Sequence, residues 1–104
     1  MLNRDLLARA AEFAKLDRAT ARDLVHQREE WTDHNFTSGE ITQEEAWDAY
    51  FGLLHECDER MFRSDRERIL GKIDTKRYNP FLSQNPGVVM IARIRATGNA
   101  GNNN

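Results

Sequence analysis

Glu44, Asp48, His55 and Glu59 share one flank of a helical stretch, and a carboxylate–imidazole pair, Asp23-x-x-His26, occurs further upstream. These are side chains that divalent cations take as ligands. The spacing argues against a shared ion. Glu44 and Asp48 stand at i,i+4, as do His55 and Glu59, but Asp48 and His55 lie about 10 Å apart along a helix axis. The Asp23–His26 pair would need inward carboxylates from other helices to complete a bundle metal site. A solvated charged face is the better reading, with no metal and no cofactor. The single cysteine, Cys57, falls on an apolar stripe. On a helix His55 points about 160° away from it, so no neighbouring base is placed to activate the thiol. The chain has no His-Glu-x-x-His, no phosphate-cradling glycine loop and no Gly-x-Ser-x-Gly. No catalytic residue is assigned, and a non-enzymatic role is expected.

The elements around these residues are read from apolar periodicity. Trp47, Tyr50, Phe51, Leu54, Cys57, Met61 and Ile69 recur at about 100° per residue. Asp58 and Asp65 project from the same side. Leu2, Leu6, Ala10, Phe13, Leu24 and Trp31 share a side of an earlier stretch, with Asp17 and Arg28 inside it. The pattern predicts two long helices, over 3–34 and 42–70, packed along their lengths with four seam charges, Asp17, Arg28, Asp58 and Asp65. Asp17 can instead cap a second helix, which leaves open whether residues 3–34 are one helix or two. Thr42-Gln43-Glu44-Glu45 is a capping box. Gly71 offers a left-handed terminator.

Beyond Gly71 the prolines in Asn79-Pro80 and Asn85-Pro86 disfavour helix at the residues before them. Residues 88–95 alternate, with Val88, Met90, Ala92 and Ile94 on one apolar side, and read as a short strand in want of a partner. The expected class is all-α: an antiparallel helical hairpin (1–71), an extended arm with one strand (72–95) and a disordered tail (96–104), self-associating through the arm. Val88, Met90, Ile94, Arg93 and Arg95 are the expected interaction residues.

Residues 10–27 resemble the helix-turn-helix of lactose-repressor-like transcription factors. Ala11 matches the small residue between the helices, Leu16 the apolar turn residue, Asp17 the cap of the recognition helix and Leu24 its buried late position. Lys15 and Ala21 depart from the family's pattern. The resemblance implies that Arg18, Thr20 and Arg22 face the major groove. Residues 34–45 resemble the second half of an EF-hand loop, with Gly39 at the sharp turn, Ile41 at the β-bridge and Glu45 at the closing carboxylate; His34 and Phe36 stand where oxygen ligands belong.

The 104 residues are 39 % hydrophobic and 31 % charged, enough for one domain with a thin core. No apolar run is long enough to span a membrane and no signal peptide is read at the start, so a cytoplasmic protein is expected. Residues 1–58 hold 6 basic against 13 acidic side chains, and residues 59–104 hold 9 against 4. Such halves can complement each other, within the chain or between copies. The expected function is a small protein–protein interaction component, an adaptor, inhibitor or assembly factor, whose partners are itself and another protein. The alternatives are a DNA-binding regulator and a degenerate EF-hand-like protein.

Overall fold

The computed structural model describes residues 12, 15–56 and 61–102, and among them the chain is all-α. Helix α1 spans Arg18–Thr37, α2 Gln43–Glu56, α3 Arg63–Leu70 and α4 Pro86–Asn102; a single 3-10 turn covers Pro80–Leu82.

Helix α1 starts where its first orphan N–H groups find an acceptor. Asp17 is extended (φ −71°, ψ 164°), and its Oδ1 accepts from the Thr20 N–H at 2.8 Å. Asp17 is therefore an exposed cap and not a seam charge. No glycine or proline interrupts the chain from there to Ser38. The helix stops at Gly39, whose φ of +83° suits a residue without a Cβ. The Asn35 carbonyl then accepts from the Glu40 and Ile41 N–H groups, at 2.9 and 3.2 Å, which closes the loop. The expected capping box opens α2: the Thr42 N–H donates to Glu45 Oε1 at 2.9 Å, and the Glu45 N–H donates to Thr42 Oγ1 at 3.1 Å.

Helix α2 is the hub, packing against α1, α3 and α4. It is apolar on more than one side, burying Ala46, Trp47, Tyr50, Leu53 and Leu54. Ala21 and Val25 of α1, Met61, Ile69 of α3 and Ile73 complete that core. The buried side of α1 is Ala21, Val25, Glu29 and Thr32, whereas Trp31 is 61 % exposed. The predicted phase through Leu24, Arg28 and Trp31 is thus rotated from the real one. The periodicity that joins Leu24, Arg28 and Trp31 to Leu2, Leu6, Ala10 and Phe13 requires one unbroken helix, and Asp17 is extended; residues 2–11 and Phe13 lie outside the described residues.

The second predicted helix is also divided. Met61 is a bend and Phe62 is extended (φ −68°, ψ 145°), so α3 begins afresh at Arg63. A straight helix would carry Ile69 about 20 Å past Glu56; the break lets Met61 and Ile69 return to the core that α2 builds. Gly71 is right-handed (φ −64°, ψ −16°), not the left-handed terminator expected.

The largest correction is the C-terminal arm. Residues 88–95 are not a strand, since Pro86–Asn102 is one helix that also takes in most of the expected tail. Asn85 and Pro86 start it: Asn85 Oδ1 accepts from the Gly87 N–H at 2.9 Å, and proline at the first helical position gives up a donor that has no partner there. Val88, Ile91 and Ala92 face inward and are buried. A short run of Val and Ile satisfies period 2 and period 3.6 alike; the cap decides between them.

Candidate functional site

Helices α1 and α3 are joined by charge. Glu29 leaves α1 with its side chain 6 % exposed and meets Arg68 of α3, whose Nη2 donates to Oε1 at 2.6 Å and whose Nε donates to Oε2 at 2.9 Å. Lys72 Nζ lies 2.7 Å from both Glu29 Oε2 and Asp33 Oδ2. The Tyr50 hydroxyl donates to Asp33 Oδ1, tying α2 to the same network. One turn earlier, Asp65, 1 % exposed, receives Arg68 Nη1 at 2.9 Å, His26 Nε2 at 3.1 Å and Arg22 Nε at 3.5 Å. Positions 22, 26, 29 and 33 share a face of α1, and 65, 68 and 72 recur at i,i+3,i+7 on the other side.

Three carboxylates thus face Arg22, Arg68 and Lys72, and the electrostatics follow. The Arg68 hydrogen bonds hold Glu29 below the usual carboxylate range, more than burial lifts it. Burial would raise Asp65, but hydrogen bonds from His26 and Arg68 outweigh it and bring it down. Burial would lower Lys72, and its contacts with Asp33 and Glu29 raise it instead. Asp65 orients an imidazole, an arrangement compatible with general-base chemistry, but divides its charge between that ring and two guanidinium groups. The arrangement clamps two helices. Among the described residues no group of three or more His, Cys, Asp or Glu side chains is placed to hold a metal ion.

Next to the clamp lies a groove of about 330 Å³, lined by Phe51, Leu54 and His55 of α2, Arg66 and Leu70 of α3, and Ile73, Thr75, Tyr78 and Pro80. Its walls are positioned by ring packing: Phe51 lies edge-on to His55 at 4.3 Å and tilted to Tyr78 at 5.8 Å, and Tyr78 lies edge-on to Trp47 at 6.0 Å. Asp48 fixes Tyr78 from behind, accepting its hydroxyl at 2.7 Å, and accepts the Ser83 hydroxyl at 2.8 Å on its other oxygen. Burial, and then Asp48, push the Tyr78 phenol up, so it keeps its proton. Beyond Tyr78 a wider cleft of about 1030 Å³ runs between Trp31, Ile41, Glu44, Asp48, Arg77 and Leu82.

The residues singled out from sequence scatter. Val88 is in the core, Met90 is half-buried, and Arg93, Ile94 and Arg95 are exposed on α4. Helical period separates Val88 and Arg95 from Met90, Arg93 and Ile94. Of the seam charges, Asp65 is the buried hub, Arg28 is half-buried, Asp17 is a cap, and Asp58 lies outside the described residues, as does Cys57. Arg18 and Arg22 place their guanidinium groups 4.7 and 4.6 Å from the Phe62 ring centre, and Thr20 is exposed. Glu45, the calcium-closing residue of the EF-hand resemblance, is engaged in the cap of α2. The burial of Glu29 and its pairing with Arg68 and Lys72 are not read from the sequence, nor is the role of Asp48, read there as part of a solvated charged flank, as the acceptor that holds Tyr78. The opposite-sign spacing of Glu29 and Asp33 against Arg68 and Lys72 is the signal that marks the Glu29 pairing. No described helix is long and apolar enough to cross a membrane. No family model, curated protein or solved structure matches the chain.

Proposed function

We propose that this chain is a small non-enzymatic binding protein that takes an apolar side chain of a protein partner into the groove beside Tyr78. In this reading α1 and α2, joined by five residues, form the antiparallel hairpin on which the groove is mounted. The observation that carries it is the groove itself: aromatic and aliphatic walls, with Leu70 half-exposed at its edge. Apolar surface of this shape gains free energy when water leaves it. The charged groups best placed for chemistry are occupied in the α1–α3 clamp, which supports a binding role over a catalytic one.

A photo-reactive benzoyl-phenylalanine in place of Leu70 tests this in the organism of origin. It should crosslink to a discrete protein, the same residue in place of the exposed Glu40 should not, and Thr75→Trp, which fills the groove, should abolish the product. Equal products from both positions would overturn the reading.

One observation favours a DNA-binding reading. Asp17 caps a helix beginning at Arg18, the register that the helix-turn-helix resemblance implies for Arg18, Thr20 and Arg22. Retention on duplex DNA that falls steeply with salt and is lost in Arg18→Ala would establish it in place of the first.

A further inference from the structure

Two of the most exposed apolar side chains share one cleft. Trp31 (61 % exposed) and Leu82 (79 %) line the wide cleft. The turn that carries Phe81 and Leu82 packs against α4, on which Ile94 is 50 % exposed. A small chain gains from covering such a surface. Charge identifies what covers it. The cleft presents Glu44, Glu45 and Asp48 against Arg77 alone. Residues 86–102 contain no acidic side chain, and the outward face of α4 carries Met90, Arg93, Ile94 and Thr97 at i,i+3,i+4,i+7.

We propose that a second copy of this chain seats this face of its α4 in the cleft, with Ile94 against Trp31 and Leu82 and Arg93 against Glu44. The contact proposed is two-fold, each cleft taking the α4 face of the other copy, so that it closes as a dimer. The surface shares only Tyr78 with the groove beside it, and the inference does not depend on the function proposed for that groove. The basic and acidic halves of the sequence then complement each other between copies as well as within one.

Analytical ultracentrifugation of the full chain across a micromolar to millimolar series tests it, with circular dichroism confirming that each variant keeps its helix signal. The mass should rise towards twice that of one chain. Leu82→Asp should hold it at one chain. Arg93→Glu and Glu44→Arg should each weaken the dimer by about tenfold or more, because each substitution acts twice in a two-fold contact. The double variant should recover most of the loss. A single chain at every concentration overturns the proposal. So does a dimer indifferent to Leu82→Asp, or a loss in the single variants that the double variant does not recover.

Discussion

Arg68→Ala should destabilise this protein more than Glu29→Gln, although the two side chains form one pair. The asymmetry comes from exposure. Arg68 is 42 % exposed, while Glu29 and Asp65 are 6 % and 1 % exposed. When Glu29 is neutralised, the guanidinium keeps Asp65 and turns any donor left without an acceptor to water. The glutamine amide oxygen can still accept from it, so the loss is the difference between a charge-assisted and a neutral hydrogen bond, about 1–2 kcal/mol. When Arg68 is removed, two carboxylates stay out of water with only Lys72, Arg22 and His26 to compensate. Breaking a buried pair costs about 3–5 kcal/mol and an exposed one about 0–1. Partial exposure and the surviving cations put Arg68→Ala near the lower end of the buried range, about 3–4 kcal/mol. The two variants should therefore differ by about 2 kcal/mol, or roughly 8–16 °C in Tm for a chain of this size. Urea unfolding followed by circular dichroism measures both. The gap between Arg68→Ala and the parent should narrow as pH falls through the carboxylate range, because protonated Glu29 and Asp65 no longer need the guanidinium. Equal costs, or both below about 1 kcal/mol, would mean that the clamp is a solvated surface pair and the reasoning fails.

Other expectations are simpler. Glu29 and Asp65 are held below their usual range, so the unfolded chain takes up protons first: stability is full above about pH 5 and declines as pH falls through the carboxylate range. Lys72, Tyr50 and Tyr78 are raised, so their contribution is present below about pH 10 and is lost above it; a urea midpoint flat across the whole span would contradict both signs. Gly39→Ala meets open space, so its cost is that of the left-handed backbone alone, about 1–2 kcal/mol, and Gly39→Asn should cost less in thermal melts. Asp48→Ala leaves the Tyr78 and Ser83 hydroxyls without their acceptor; a loss of about 1–3 kcal/mol should accompany a change in Trp47 fluorescence, because Tyr78 lies edge-on to that ring.

Much of the local structure is legible in the chain because it is set within a few residues. The Thr42–Glu45 capping box, the loop around Gly39 and the helical content on either side need only propensity and nearest-neighbour hydrogen bonds. Asp17 admitted two roles, and the one that satisfies local N–H groups is the one taken. The Asn85-Pro86 start of α4 was legible too, as a cap followed by proline at the first helical position, but Val88–Arg95 fits both periods and drew the reading to a strand.

Other features depend on groups far apart in sequence. Whether residues 42–70 run straight or turn back at Met61 and Phe62 depends on the core that Ile69 must reach. Which face of α1 is inward was hidden because that face carries Glu29 and Thr32, which no hydrophobic period reports. Glu29 is buried because Arg68 and Lys72, some forty residues later, arrive to pair with it. The sequence alone therefore determined the capped starts at Asp17 and Thr42 and the mostly helical class of the described residues. Only the tertiary structure decided which charges are buried and where the groove opens, since a buried charge and a cavity wall both exist only through partners brought from elsewhere in the chain.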